Sequence, residues 1–269
     1  MIKKDIKVAV LGAGAMGCLF GGLLAEKGLD VILIDVWKEH VETINKNGLK
    51  MDGYGGERFI KIKATTEPQT LGKVDAIIIM CKATALEQAL INSKNIIGNN
   101  TVLMSFQNGI GHELIMKKIA GKEKVLGGTT TQAANILGPG NIKNHASLPS
   151  WIGEYEGGMS DRVNDIAETF TAHGLETIAS ENVKKRKWMK LFALTAIGPL
   201  SAMFDMNHTE LYITNKKHSF ARDLGKQIIL ETRNVALADG VDVSENECLE
   251  MFNKIVDSNQ TNKSSMAFD

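Results

Sequence analysis

The scarcity of several features in this sequence excludes several classes of protein. Among its 269 residues there are three cysteines, Cys18, Cys81 and Cys248, and their wide spacing predicts neither a zinc site nor a disulfide framework. We therefore expect no bound metal, and a reducing compartment such as the cytoplasm. The 31 lysines and arginines balance 31 aspartates and glutamates. The chain thus lacks the excess of positive charge that is typical of nucleic-acid-binding proteins.

Long uninterrupted apolar runs are also missing. Residues 3–25 begin like a signal peptide, with lysines before apolar residues, but repeated glycines break the stretch and we interpret it as mature structure. In KKRKWMKLFALTAIGPLSAM, residues 184–203, the apolar part is shorter than the ~20 residues of a membrane helix and contains Lys190 and Pro199. We expect neither a membrane nor a nucleic acid as partner. We interpret KKRK as a solvent-facing part of a helix.

Short apolar runs alternate with helical periodicity over the first 110 residues. Runs rich in Ile and Val, without polar alternation, indicate strands that are covered on both faces. Strands of this kind alternating with helices predict βαβ units and a parallel sheet. The predicted strands are KVAVLG (7–12), VILID (31–35), AIIIMCK (76–82) and TVLMSF (101–106), and the predicted helices between them lie at 18–28, 40–48 and 85–93.

The second half of the chain has a different pattern. From residue 111 to 180 the periodicity loosens, and WIGEY and LETIAS are further strand candidates. After about residue 181 the remaining periodicity is helical, at 182–195, 218–239 and 244–258. The sequence therefore predicts an α/β domain with a parallel sheet at 1–180, followed by an all-helical domain at 181–269.

The first predicted strand ends in a glycine loop, LGAGAMG, that has the spacing G-x-G-x-x-G. Gly12 permits a tight turn, Gly14 lets the backbone approach a pyrophosphate, and Gly17 lets the next helix pack on the strand. The N–H groups at the start of that helix are free to bind phosphates. A strand before the loop and a helix after it favour a dinucleotide site over a glycine-rich turn without a ligand. A methyltransferase loop usually reads G-x-G-x-G, which does not match this spacing.

Asp35, at the end of the second predicted strand, bears on which dinucleotide binds. A carboxylate at this position accepts hydrogen bonds from the adenosine ribose hydroxyls of NAD. It repels the 2′-phosphate of NADP, since two like charges ~4 Å apart cost about 4 kcal/mol at an effective dielectric constant of 20. That exceeds what one lysine such as Lys38 offsets. We therefore expect NAD or NADP as cofactor, with NAD favoured; the alternative is that Asp35 only caps the next segment.

Four later motifs and the end of the chain resemble the ketopantoate reductase (2-dehydropantoate 2-reductase) family. The resemblance spans essentially the whole sequence and implies a Rossmann-type N-terminal domain and an all-helical C-terminal domain. It also implies reduction of a 2-keto acid by a nicotinamide cofactor in the cytoplasm, as a step of pantothenate biosynthesis. A homodimer is compatible with it, although the residues do not fix the oligomeric state. The motifs are Met-Cys-Lys-Ala around Lys82, SFQNGIG (105–111), GGTTTQAA (127–134), WMKL…GPLSA (188–202) and KSSMAFD (263–269).

The resemblance implies that Lys190 is the general acid. Its ammonium group would bind the keto oxygen and give a proton to the alkoxide that forms when hydride arrives. Because the reference pKa of lysine is about 10.4, its amine is reliably protonated at neutral pH, and partial burial lowers that pKa. Apolar or small residues, Leu194, Ile197 and Gly198, follow Lys190 on its helical stripe. We therefore expect Lys190 to face inward, at a cleft or an interface.

Further site residues follow from the same resemblance. Asn108 is implied near the nicotinamide ribose and the reacting centre, although Asn-Gly is also a common turn. Lys82 is implied at the cofactor, although a lysine after a strand is often a plain surface residue. Substrate contacts are implied for Lys190, Leu194, Gly198 and Ser265. The implied cofactor contacts are Gly12, Ala13, Gly14, Ala15, Met16, Gly17, Asp35, Lys82, Asn108 and Ala134.

Two departures from the family pattern leave the substrate open. The family carries asparagines four and eight residues after the catalytic lysine, where this chain has Leu194 and Gly198. Each lost hydrogen bond is worth about 0.5–1.5 kcal/mol, so ketopantoate recognition would weaken about tenfold to a hundredfold. Thr195 lies one residue off the stripe. The family also continues past KSSM into a helix with a glutamate, whereas this sequence stops at Asp269, so either the chain is cut short or that glutamate is missing.

Three functions therefore remain open. The first is a 2-keto acid reductase with ketopantoate as its default substrate. The second is an NAD-dependent D-2-hydroxyacid dehydrogenase on the same scaffold, which Asp35, Leu194 and Gly198 favour. The third is a non-catalytic dinucleotide sensor, which the missing asparagines and the short C-terminus leave open.

Overall fold

The computed structural model describes residues 6–207, 209–214, 220–257 and 266. The chain divides into two compact units, Met1–Val183 and Lys184–Asp269. The first unit contains all of the strands and five of the eight α-helices that the described residues form, and the second contains helices.

Twelve strands and five helices make up the first unit. The strands are β1 (Lys7–Leu11), β2 (Asp30–Ile34), β3 (Leu49–Gly53), β4 (Arg58–Ile60), β5 (Lys63–Thr65), β6 (Val74–Ile79), β7 (Ile97–Ser105), β8 (Val125–Thr130), β9 (Ala134–Gly138), β10 (Asn141–Asn144), β11 (Ser150–Glu154) and β12 (Thr177–Ala179). The helices are α1 (Ala15–Glu26), α2 (Lys38–Asn47), α3 (Leu86–Asn92), α4 (His112–Ala120) and α5 (Asp161–Ala172).

Eight of these strands form one sheet, in the order β12-β11-β8-β7-β6-β1-β2-β5. The six strands from β8 to β5 are parallel to one another, and β11 runs antiparallel to β8. In the centre, Val10 of β1 lies in register with Leu33 of β2 and Ile78 of β6. The mainly parallel α/β sheet that the sequence predicts is confirmed.

Both faces of this sheet are covered, as the unbroken Ile and Val runs predict. On one face Val8 and Val10 belong to a buried cluster that includes Phe20 and Phe170. On the other face Ala9 and Leu11 belong to a second cluster that includes Leu86, Leu90 and Met116. Alternate residues of one strand therefore enter two different cores, and polar residues on either face would be desolvated.

A second sheet, β4-β3-β10-β9, was not predicted from the sequence. Its strands are three to five residues long and mix polar with apolar residues, as in LKMDG and NIKN. Strands β3 and β10 pair in parallel although about 90 residues separate them in the chain. Pairing over that distance leaves no local periodicity to detect. WIGEY and LETIAS do form strands, β11 and β12.

The described residues of the second unit form three helices, α6 (Val183–Phe204), α7 (Phe220–Ala238) and α8 (Glu245–Val256), and a π-helical turn at Glu210–Thr214. These helices confirm the helical C-terminal region that the sequence predicts. Helix α6 continues beyond the predicted 182–195 and contains Pro199. None of the helices within the described residues has the length and apolar character needed to cross a membrane.

Candidate active site

The parallel strands place most of the predicted cofactor residues at one edge of the large sheet. Gly12, Asp35, Lys82 and Asn108 each follow the carboxyl end of a strand, namely β1, β2, β6 and β7. From β1 the chain proceeds to β2 on one side, and β6 lies on the other. Ligands of open α/β sheets bind at such a switch in strand order, outside the carboxyl ends of the strands.

Two glycines of the loop are required by the protein itself. Gly12 has a φ of +98°, and a Cβ there would lie 2.3 Å from the backbone N of Cys81. A Cβ at Gly17 would lie 1.9 Å from the carbonyl oxygen of Gly12. Any side chain at either position would force the loop, β6 and α1 apart.

Gly14 has no such reason to be glycine. A Cβ at this position would meet no atom of the described protein within 4 Å, and its φ of −64° suits any residue. Gly14 is also the residue immediately before α1, and it makes no side-chain cap for the helix. The space above Gly14 and the uncapped helix start are the arrangement that a pyrophosphate requires, so the loop fits a dinucleotide.

The Asp35 side chain joins this loop to the turn that follows β2. Its Oδ2 accepts a hydrogen bond from the backbone N–H of Ala13 at 2.6 Å, and its Oδ1 accepts one from the N–H of Trp37 at 3.0 Å. The bond to Trp37 caps the segment after β2, as the alternative interpretation of Asp35 requires, and the bond to Ala13 holds the glycine loop. A carboxylate has about four acceptor positions, so two bonds leave capacity for ribose hydroxyls.

The residues after Asp35 form an exposed, mainly apolar turn. Val36 is 93% exposed and Trp37 is 38% exposed. The Nζ of Lys38 lies 3.7 Å from Oε1 of Glu42, one helical turn further along α2.

Behind Trp37 lies a buried cluster that the sequence reading missed. The imidazole of His40 is fully buried and stacks on the Trp37 indole, with ring centroids 4.9 Å apart and planes inclined by 15°. His40 Nδ1 accepts a hydrogen bond from the N–H of Gly140 at 2.9 Å. The other nitrogen, Nε2, lies 3.3 Å from Sγ of Cys18, whose thiol donates to the carbonyl oxygen of Ala13.

These contacts assign the tautomer of the His40 imidazole. Because Nδ1 is an acceptor, the neutral ring carries its proton on Nε2, where it donates to Cys18. Burial lowers the pKa of His40, although the Asp35 carboxylate opposes that shift. The sequence offers only an i, i+3 spacing of Trp37 and His40 on a helix as a signal for this pair.

Gln107 braces the ends of β6 and β7. Its Nε2 donates to the carbonyl oxygen of Cys81 at 2.5 Å, and its Oε1 accepts from the hydroxyl of Ser105 at 2.9 Å. Lys82 and Asn108, the residues after Cys81 and Gln107, are both exposed at the sheet edge. Gln107 lies within the SFQNGIG motif, and this bracing role was not predicted from the sequence. Gly109, after Asn108, has a φ of +93°, as an Asn-Gly turn requires.

The TTTQAA motif forms the end of β8 and the start of β9. Thr130 is buried, its hydroxyl lies 2.8 Å from that of Ser150, and it accepts a hydrogen bond from the N–H of Gln132. Ala134, the predicted carboxamide contact, is the half-buried first residue of β9. The loop between β8 and β9 thus leaves the same sheet edge as Lys82 and Asn108.

In the second unit, Lys190 lies half-buried on α6. Burial, together with a smaller effect of the nearby Lys187 charge, lowers the pKa of the Lys190 ammonium group to about 8. Lys187 itself is only 3% exposed, so the expectation that the whole KKRK run faces solvent is wrong. Helical geometry explains this, since residues three apart share a face and Lys187 lies on the face of Lys190.

The predicted substrate stripe continues along α6. Leu194 is half-buried and Gly198 is buried. A Cβ at Gly198 would lie 3.6 Å from Cε of Met266, so the Met266 side chain lies against this face of the helix. Thr195 donates to the carbonyl oxygen of Phe192 and accepts from Thr232. Ser265 lies outside the described residues.

Comparison with known proteins places the chain in a family. Residues 8–157 match the family model described as Ketopantoate reductase PanE/ApbA, and residues 182–269 match its C-terminal counterpart. A 2-dehydropantoate 2-reductase of Pyrococcus horikoshii is 35% identical over 246 residues, which are 91% of this chain and 78% of the relative.

Solved structures share the fold. D-mandelate dehydrogenase in a ternary structure with NADH and anilino(oxo)acetate has a TM-score of 0.89 at 28% identity, covering 98% of this chain and 85% of the other. A PanE/ApbA family ketopantoate reductase from Ralstonia eutropha has a TM-score of 0.86 at 27% identity, with the same coverage. The two family models together match most of the sequence. The chain therefore belongs to the ketopantoate reductase PanE/ApbA family.

Proposed function

We propose that this protein reduces a 2-keto acid to a 2-hydroxy acid with a nicotinamide dinucleotide, and that ketopantoate is its substrate. The observation that carries the proposal is the half-buried Lys190, whose pKa is lowered to about 8 on a helix of the family's C-terminal region. A general acid works best when its pKa lies close to the working pH. The glycine loop would hold the cofactor, and Lys190 would supply the acid.

Lys190 would act on the oxygen of the keto group. A dinucleotide bound at the glycine loop would supply a hydride to the keto carbon. The Lys190 ammonium donates a hydrogen bond to the keto oxygen, stabilises the negative charge that develops there, and transfers its proton. Asn108 would orient the reacting groups from the end of β7, and Gln107 fixes the backbone beside it through Cys81. Ser265 would bind the substrate carboxylate.

We propose NADH rather than NADPH as the reductant. The Asp35 carboxylate lies beside the glycine loop, with Oδ2 2.6 Å from the Ala13 nitrogen, and its negative charge would repel a 2′-phosphate on the adenosine ribose. Val36 and Trp37 are apolar, and Lys38, the next residue, already lies near Glu42. A cation at the turn is what accommodates a 2′-phosphate in related folds. D-mandelate dehydrogenase, whose fold is similar to that of this chain, has a structure with NADH, and this similarity supports the proposal.

A second candidate is reduction of a bulkier, less polar 2-keto acid by the same site. Leu194 and Gly198 form an apolar or small surface one and two turns after Lys190, where the family carries asparagines. The similarity to D-mandelate dehydrogenase covers 98% of this chain. An aromatic or branched side chain would bury apolar area against Leu194, whereas the hydroxyl of ketopantoate would not find an amide partner there.

Steady-state kinetics separates these candidates. We expect consumption of NADH with ketopantoate or benzoylformate, with a kcat/KM for NADH at least tenfold above that for NADPH. A higher kcat/KM for benzoylformate would favour the second candidate. Leu194→Asn is the matched variant, because it restores one family amide and should raise kcat/KM for ketopantoate by about tenfold. Absence of turnover with every 2-keto acid tested would refute the reductase and leave a dinucleotide sensor.

The compartment proposed for this reaction is the cytoplasm. Cys18, Cys81 and Cys248 are all free thiols in the structure. Burial raises the pKa of the Cys81 thiol to about 11, so this thiol near the glycine loop stays protonated and unreactive at neutral pH.

A further inference from the structure

We propose that the Trp37 indole is a stacking platform for the adenine ring of the dinucleotide, and that His40 is a positioning residue that holds this platform. The inference rests on the proposed dinucleotide binding and names a binding residue that the family motifs do not include.

The first observation is where the indole lies. Trp37 is two residues after Asp35, and both oxygens of Asp35 are engaged, one by the N–H of Trp37 and one by the N–H of Ala13 in the glycine loop. One carboxylate thus links the pyrophosphate loop to the backbone of the tryptophan. A dinucleotide whose phosphates bind at the loop and whose ribose binds Asp35 extends its base toward the next residues of the chain.

The second observation is that one face of the indole is covered and the remainder is open. His40 lies against Trp37 with nearly parallel rings, at a centroid distance of 4.9 Å. His40 is fully buried, yet 38% of the Trp37 surface stays exposed. A large apolar side chain that is stacked behind and open in front is suited to a flat aromatic ligand, because a purine can stack on the exposed face.

The third observation is that the platform is held in place before any ligand arrives. The N–H of Gly140 donates to Nδ1 of His40 at 2.9 Å, and Nε2 contacts Sγ of Cys18 at 3.3 Å. Both ring nitrogens are therefore engaged, so the imidazole cannot turn, and the indole in front of it is restrained. A restrained indole loses little rotamer entropy on binding, so more of the stacking energy appears as affinity.

The chemistry of the turn selects the base rather than a second phosphate. Val36 and Trp37 present apolar surface, and the negative charge of Asp35 adjoins them. The ligand recognised by this arrangement is an uncharged aromatic ring attached to a ribose with free hydroxyls, as in the adenosine half of NAD.

Equilibrium binding to the full-length protein tests the proposal, with NADH and ADP-ribose as probes. ADP-ribose carries the adenine and the pyrophosphate but lacks nicotinamide. We expect Trp37→Ala to weaken both ligands by the same factor, about tenfold, which corresponds to about 1.4 kcal/mol. Phe59→Ala is the matched control, since Phe59 is an exposed aromatic residue on β4 of the other sheet, and this variant should bind both ligands like the unmutated protein.

Fluorescence gives a readout that a merely structural role would not move. ADP-ribose should quench tryptophan emission in the unmutated protein and in Trp151→Phe, but not in Trp37→Phe, which retains a ring for stacking and should bind within about threefold of the unmutated protein. Trp37→Leu keeps His40 covered without a flat ring, so it should fold normally and still bind ADP-ribose about fivefold more weakly. This variant decides the question if Trp37→Ala is unstable.

The outcomes separate the two proposals. If Trp37→Leu and Trp37→Ala bind ADP-ribose as tightly as the unmutated protein, the platform is refuted while dinucleotide binding stands. If the unmutated protein binds neither NADH nor ADP-ribose, the proposed function and the platform fail together. His40→Ala should weaken ADP-ribose less than Trp37→Ala does, and an equal or larger effect with unchanged thermal stability would contradict the positioning role.

Discussion

Replacing Lys190 with methionine should stabilise the protein and abolish its reaction. Burial, with help from Lys187, lowers the pKa of Lys190 from 10.5 to about 8. The folded state therefore disfavours the charged amine relative to the unfolded chain. The difference between these two pKa values corresponds to about 3 kcal/mol of destabilisation by the charged amine. This is an upper value, because the half-buried amine keeps some contact with water. Methionine fills a similar volume without a charge, so Lys190→Met should raise the free energy of unfolding by up to about 3 kcal/mol at neutral pH.

The sign of the pH dependence follows from the same shift. Below pH 8 both states carry the proton and the folded state bears the full cost of the buried charge. As pH rises from about 8 to 10.5 the folded protein loses the proton first, so its stability increases relative to Lys190→Met. Urea denaturation at about pH 7 and about pH 9.5 should thus show a stability difference that shrinks with rising pH.

Activity should change in the opposite direction. The reduction requires the protonated amine, so kcat/KM should fall as pH rises through about 8. Lys190→Met should lose about 10²- to 10⁴-fold in kcat while binding NADH normally. Lys187→Met removes a neighbouring positive charge and should move the alkaline limb to higher pH. Lys185→Met is the control, since Lys185 pairs with Glu247 at 3.0 Å and should leave the profile unchanged.

A pH profile without a limb near 8 would refute this reasoning, as would a Lys190→Met variant that still turns over. Loss of turnover in Lys190→Met together with a loss of stability would mean that the amine makes structural contacts that outweigh its desolvation. In that case Lys190→Arg, which keeps the charge, should recover stability but not the alkaline limb.

Four further expectations concern the glycine loop and its surroundings. Gly14→Ala should leave the thermal midpoint almost unchanged, because a Cβ there meets no atom of the described protein, yet it should weaken NADH at least about tenfold by calorimetry. Gly17→Ala should instead destabilise the fold by about 1–3 kcal/mol in urea, since its Cβ would lie 1.9 Å from a backbone oxygen. Asp35→Ser should raise the ratio of kcat/KM for NADPH to that for NADH by about tenfold or more, and an unchanged ratio would contradict the charge argument. Because the pKa of His40 is lowered, the unfolded chain takes up this proton first as pH falls below 6.5, so stability should drop between about pH 7 and about pH 5, and less so in His40→Phe.

Much of the first unit could be predicted because its signals are local. Strands β1, β2 and β6 are rich in Ile and Val, and because both of their faces are covered they need no polar alternation. Gly12 and Gly17 reflect one tight turn and one contact of α1 with that turn, both within six residues of chain. The pairing of β3 with β10 could not be predicted in this way, because its partners lie about 90 residues apart and neither strand has a distinctive period.

The candidate site shows the same division. Asp35 and Lys190 could be singled out from sequence motifs. The local pattern also predicts that Asp35 lies in the turn after a strand and that Lys190 lies on a helix. The solvent exposure predicted for Lys187 is wrong. A run of basic residues predicts exposure, but packing decides which face of the helix is buried. The role of Gln107 was not predicted, because its partner Cys81 follows a different strand, β6, and lies 26 residues away in the chain.

The sequence alone determined the alternation of β1, β2, β6 and β7 with helices, the place of the glycine loop and the acidic residue after β2, since these depend on residues adjacent in the chain. The tertiary structure decided what each side chain faces. Asp35 reaches Ala13 across 22 residues, and His40 accepts from Gly140 across 100. Burial, hydrogen-bond partners and shifted pKa values arise from such long-range contacts, because desolvation and Coulomb energy depend on distance in space rather than on distance along the chain.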